Sequence, residues 1–179
     1  MSQALLLIDI QRDYFPGGAF PLPGADAAAD AAARLLESFR ARELPVIHVQ
    51  HVSTGSSAGF FRPGTAGVDH DPRVSPADGE TLVVKHHPNA FRGTELQERL
   101  EQLAPERLVV AGMMTSMCVD ATVRAASDLG WSVAVAGDAC AAPDLGHGGV
   151  ETPALQVHAA FLAALGSAYA EIVAVEELV

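Results

Sequence analysis

Apolar residues gather in short runs at 5–10, 46–52, 81–85, 108–111, 132–136 and 172–175, and most of these runs are continuous rather than alternating. Continuous apolarity suits strands covered on both faces of a parallel sheet, whereas strict alternation marks a sheet with one wet face. The segments between them change period. Residues 27–42 place Leu35, Leu36 and Phe39 on one side of a helix, and 94–103 reads as a helix opened by a Thr94/Gln97 capping box. Residues 116–129 give a third helix, and 153–165 a fourth after an N-capping Thr152. Strands alternating with helices predict an α/β fold: a three-layer αβα, doubly wound, Rossmann-like arrangement around a mainly parallel six-stranded sheet.

Composition narrows the class. A chain of 179 residues with 49% hydrophobic content can bury one full-sized core, so 1–179 is expected to form a single domain. A formal net charge of -11, with only 11 Lys and Arg in all, excludes a general nucleic-acid binder. The first residues lack a basic leader, and the apolar run at 4–8 is too short for a signal or a membrane span, so a cytoplasmic protein with no membrane partner is expected. Two cysteines, Cys118 and Cys140, in a reducing compartment point to free thiols rather than a disulfide. The Gly-, Pro- and Ser-rich stretch 53–79 is long for a loop and reads as part of a substrate pocket.

In a sheet of this kind ligands bind beyond the carboxyl ends of the strands, which makes the polar residues there the informative ones. Asp9 closes the first run in LLLIDIQRDYF, Lys85 closes the third in TLVVKHHPNAF, and Cys118 follows the fourth in RLVVAGMMTSMCVD. Singly, each has a structural reading: a cap, a strand-end charge, a small buried hydrophobe. Jointly they fit one task, because a thiolate attacks an acyl carbon, a carboxylate moves protons and an ammonium stabilises the charges of both. Placement of Cys118 at the start of a helix, among free N–H groups, is expected to favour the thiolate.

These motifs, IDIQRDYF, VVKHHPNAF, GMMTSMCVDATVRAA and GDACA, resemble the isochorismatase-like cysteine hydrolases, which include nicotinamidases and N-carbamoyl amide hydrolases. The resemblance runs from Leu5 nearly to the C-terminus. It implies a catalytic triad of Asp9, Lys85 and Cys118, a non-proline cis peptide between Met113 and Met114, and an oxyanion hole from the backbone N–H groups of Met114 and Cys118. It also implies a homo-oligomer, dimer or tetramer, in which a neighbouring subunit can complete the pocket. Nicotinamidases of the family hold a divalent cation with an Asp-x-His pair after the second strand. Here that stretch reads HVQHVST, with His51 in place of the Asp and Ser53 in place of the His, so no metal and no other cofactor is expected.

Around the triad, Phe15, His51, Phe60, Phe61, His87, Phe91 and Thr115 are the candidate substrate-binding residues. Core packing explains the phenylalanines almost as well, and helix capping explains Thr115. Asp13 and Asp138 read as loop or cap residues and Cys140 as a packed thiol, while His147 and His158 have no identifiable partner. The resulting expectation is a hydrolase of C–N bonds other than peptide bonds, acting on a small carboxamide, lactam or ureido compound through a thioester. The alternatives are a vinyl-ether hydrolase of the isochorismatase type, which does not need the thiol, and a non-catalytic metabolite-binding or thiol redox module.

Overall fold

The structure, a computed structural model, describes residues 2–55 and 57–179. Ser56, within the predicted pocket loop, lies outside the described residues. One six-stranded sheet runs through the molecule in the order β3-β2-β1-β4-β5-β8, every pairing parallel. The strands are β1 (Gln3–Ile8), β2 (Val46–His51), β3 (Thr81–Lys85), β4 (Arg107–Met113), β5 (Val133–Ala141) and β8 (Glu171–Val173). Helix α1 (Ala25–Ala41) covers one face with Leu35, Leu36, Phe39 and a row of alanines. Helices α2 (Leu96–Leu103), α3 (Asp120–Asp128) and α4 (Ala154–Gly166) cover the other, through Leu96, Leu100, Val123 and Leu165. This is the three-layer doubly wound fold that the alternating pattern predicts. Among the described residues no helix is long and apolar enough to cross a membrane.

Apolar runs mark burial on both faces in the middle of the sheet but not at its edge. Ala4 to Ile8 of β1 and Leu108 to Met113 of β4 are all buried, as central parallel strands must be. β3 is the outermost strand on its side, and Leu82 and Val84 remain 42% and 44% exposed while Val83 and Lys85 point inward. The sequence run at 81–85 thus forms a strand with one covered face.

Other boundaries move for local reasons. The Thr94/Gln97 capping box does not form: the Thr94 hydroxyl receives the Leu96 N–H, while Gln97 bonds Glu101 and the Trp131 indole. Thr152 does not cap α4 either, because Asp144 accepts the Ala154 N–H at 2.7 Å in its place. Two short strands, β6 (Leu145–His147) and β7 (Val150–Thr152), pair antiparallel across Gly148-Gly149. Both glycines have positive φ, +60° and +81°, as the tightest hairpin turn requires.

Gly112 shapes the sheet next to the site. Its φ of +139° and the position a Cβ would take, 2.0 Å from the Ile8 carbonyl oxygen, admit no side chain. The β4–β5 register slips there, between Val110 and Gly112, just before the cysteine turn.

Candidate active site

Strand order reverses direction between β1 and β4, and the residues following those two strands face one crevice. Asp9 comes directly after β1 with φ +51°, a left-handed conformation that aspartate tolerates better than most residues. After β4, the Met113–Met114 peptide is cis and a wide turn, Thr115–Val119, precedes α3. The Met114 carbonyl oxygen accepts the Val119 N–H at 3.2 Å, one residue beyond α-helical spacing. Cys118 sits in that turn. Lys85 ends β3, two strands from β1, and its long side chain passes His51, its register partner on β2, to reach the crevice.

The three side chains meet around the ammonium. Lys85 Nζ lies 2.6 Å from Asp9 Oδ2, 3.2 Å from Cys118 Sγ and 2.9 Å from His51 Nδ1. Asp9 and Lys85 are fully buried and Cys118 is 3% exposed. Both Asp9 carboxylate oxygens are sealed from solvent, and the charge of Lys85 is what compensates them.

Burial dominates the electrostatics. It raises the Asp9 pKa above 3.8, with Lys85 and the Cys118 contact opposing. Burial also raises the Cys118 thiol, the Asp9 charge adds to this, and Lys85 offsets only part of it. Burial and the Asp9 charge both push the sulfur toward its protonated form. The expected help from the helix start is small here, because α3 begins only at Asp120, while desolvation and the neighbouring carboxylate act against the thiolate.

The candidate binding residues fall into two groups. His51 contacts Lys85 directly, Phe61 lies 5.8 Å from the His51 ring, and Phe60 packs on Phe61 at 4.9 Å. His87 adds to the positive surroundings of His51, and Phe91 packs on the core cluster that contains Cys118. Phe15 stands apart, under the Arg73 guanidinium at 5.0 Å, and Thr115 is engaged by His158 at 2.9 Å. His158 thus has the partner that the sequence did not reveal. Asp13 accepts the Phe61 and Ala19 N–H groups, and Asp138 accepts that of Val175, both structural bonds. Cys140 is buried with its thiol on the Ala136 carbonyl oxygen, and it borders a cavity of about 310 Å³ that touches none of the triad.

Two residues escaped the sequence reading. Tyr14 is 1% exposed and packs on Phe61 at 4.7 Å, and burial, with the Asp9 charge adding to it, raises its pKa. Gln11 binds the His51 backbone through both amide atoms and holds the Val68 carbonyl oxygen. Both belong to the IQRDYF motif, and a buried glutamine beyond a strand end was the available signal.

The residues do not fit the metal centre of nicotinamidases. Asp9, His51 and Cys118 offer ligand atoms within 4.8 Å of one another, but the Lys85 ammonium bonds to all three. His48, the other histidine of β2, is turned away to Glu80 at 2.8 Å.

A buried Cys, Lys and Asp thus meet at the switch point of a doubly wound sheet. Residues 3–177 match the model of the isochorismatase domain, and the chain belongs to the isochorismatase family. It is similar to the isochorismatase family protein YddQ of Bacillus subtilis, 47% identical over 96% of each chain. A crystal structure of an isochorismatase hydrolase from Oleispira antarctica superposes with a TM-score of 0.95, at 49% identity over 99% of this chain and 95% of that one. The nicotinamidase of Escherichia coli is 30% identical over 77% of this chain and 82% of its own.

Proposed function

We propose that this protein hydrolyses a small carboxamide, lactam or ureido compound, with Cys118 as nucleophile, Asp9 as proton carrier and Lys85 as the charge between them. The observation that carries this reading is the Lys85 ammonium within hydrogen-bond reach of both a buried carboxylate and a buried thiol. As the sulfur attacks the carbonyl carbon, Asp9 takes the S–H proton, so no free thiolate accumulates. Its raised pKa makes Asp9 a stronger base than an exposed aspartate. The oxyanion is received by the backbone N–H groups of Met114 and Cys118, a kind of donor worth roughly 2.7–4 kcal/mol in other enzymes. Asp9 returns the proton to the leaving nitrogen as the C–N bond breaks. Water, deprotonated by Asp9, then attacks the thioester, the C–S bond breaks and the sulfur recovers its proton.

Amide chemistry is favoured by the likeness to a nicotinamidase and by the thiol, which vinyl-ether hydrolysis does not need. A thiol sensor would require an exposed, readily ionised sulfur, and Cys118 is neither. The test is ammonia release from a panel of small amides and ureas, with mass spectrometry of the quenched protein for an acyl adduct on Cys118. Turnover that disappears in Cys118→Ala is the expected result; a Cys118→Ala protein that works at the parent rate overturns the reading.

A further inference from the structure

Lys85 has three N–H donors and no acceptor, and three acceptors surround it: Asp9 Oδ2, His51 Nδ1 and Cys118 Sγ. The ammonium hydrogen-bonds to His51 Nδ1 and Cys118 Sγ and is ion-paired with Asp9, so it is engaged within the chain. The same contact fixes the state of His51. A ring nitrogen that accepts from an ammonium carries no proton, so the single proton of the neutral ring sits on Nε2. Burial, then the charges of Lys85, His86 and His87, hold the His51 pKa at about 4, which keeps the ring from taking a second proton near neutrality.

The ring is also fixed in direction. Gln11 grips the His51 backbone on both sides, giving its amide N–H to the carbonyl oxygen at 2.9 Å and accepting the N–H at 2.8 Å, and Phe61 packs on the ring. Nε2 bonds to nothing among the described residues. Unlike His48 Nδ1 and His70 Nε2, it is not sealed from solvent. A donor held in direction is therefore left unpaired and accessible beside the nucleophile.

We infer that His51 Nε2–H selects substrates by donating to a second oxygen, carried on an atom one or two bonds from the scissile carbon. The inference rests on the hydrolase reading above. His51 Nδ1 and Cys118 Sγ share the Lys85 ammonium, at 2.9 and 3.2 Å, so the imidazole that carries Nε2 stands beside the sulfur. An attacked carbon stands ~3–3.5 Å from its nucleophile, and the acceptor ~2.9 Å from its donor. Those lengths exclude a remote acceptor, and the attacked oxygen itself goes to the backbone donors. The class that fits is 2-oxoamides, 3-oxoamides, imides and acylureas, in preference to simple aliphatic amides. A site built to hydrogen-bond such an oxygen discriminates strongly against the analogue without it.

Two variants separate the two ring nitrogens. His51→Asn keeps an acceptor for Lys85 but loses the outward donor, and His51→Gln places an N–H near the lost Nε2. Cys118 is alkylated with iodoacetamide, whose carbonyl lies one bond from the attacked carbon, and with allyl bromide, which has no oxygen. His51→Asn should slow iodoacetamide about five- to tenfold, the worth of one neutral hydrogen bond, and change allyl bromide less than about twofold. His51→Gln should recover part of the iodoacetamide rate. Equal slowing of both reagents, or slowing of neither, overturns the proposal. Where His51→Asn fails to fold, nitrogen-15 histidine spectra of Cys118→Ala decide: 2-oxopropanamide should shift the His51 Nε2–H signal and propanamide should not, and an equal response to both overturns the inference. Neither measurement needs turnover, so absence of amide hydrolysis, which would sink the hydrolase reading, is a separate result.

Discussion

Lys85 Nζ and Asp9 Oδ2 are 2.6 Å apart with neither side chain touching solvent. Two charges removed from water lose hydration worth several kcal/mol each, and their mutual attraction offsets this only while both are present. Asp9→Asn therefore strands a buried ammonium and should cost about 3–5 kcal/mol. Asp9→Asn combined with Lys85→Met removes both charges and should recover most of that loss, while catalysis stays absent in both proteins. Thermal unfolding of the three proteins checks this; a double variant as unstable as the single one refutes it.

The buried thiol gives a second expectation, opposite to that for most reactive cysteines. Because burial and the Asp9 charge raise Cys118 above the ordinary 9.0, its alkylation should keep accelerating past pH 9, where a free cysteine levels off. A midpoint below pH 8 would mean a resting thiolate and would remove the concerted proton transfer. Cys140, pushed up to about 12 by burial, should stay unlabelled throughout unless the protein unfolds.

The fold was legible because burial writes itself into composition. β1 and β4 lie mid-sheet, and their runs of Leu, Ile and Val have no polar face to confuse the period. Asp9, Lys85 and Cys118 stood out for the converse reason, as polar residues at the ends of such runs. What escaped depends on contacts distant in sequence. The Thr115–His158 bond joins residues 43 positions apart, and the β3 edge is defined only by which strands become neighbours. The thiol state depends on the enclosure of Cys118, which no local motif records. The β6–β7 hairpin, like Gln11, carried an unused local signal, here Gly148-Gly149.

Glu80 predicts how acid acts on the fold. Arg40 grips it at 2.7 and 2.8 Å, the Ala77 N–H and His48 add bonds of 2.8 Å each, and its pKa falls from 4.5 to about 2. A carboxylate lowered on folding stabilises the native state above its unfolded pKa and loses that stabilisation as pH falls toward its folded one. The window is pH 4.5 down to about 2. Denaturant unfolding at stepped pH should show the stability of wild type and Glu80→Gln converging across this window. Parallel curves would show that Glu80 is not held as the geometry indicates.

Gly112 and Gly149 both have positive φ, yet their surroundings differ. A Cβ at Gly149 meets nothing within 4 Å, so Gly149→Ala should cost only the intrinsic penalty of a left-handed residue, about 1–2 kcal/mol. At Gly112 the same methyl would lie 2.0 Å from the Ile8 carbonyl oxygen and under 3 Å from the Ile8 nitrogen, all backbone at the end of β1. Relief requires β4 to move away from β1, and Asp9 is the next residue along that strand end. Gly112→Ala should therefore cost more than about 4 kcal/mol, in the range that marks a disrupted core, and any protein recovered should have lost the fit between Asp9 and Cys118. Unfolding midpoints compared with Gly149→Ala, together with iodoacetamide rates at Cys118, read the two effects. Equal costs at the two glycines would show that β4 yields at Gly112, and that the crowding against β1 does not hold the crevice in shape.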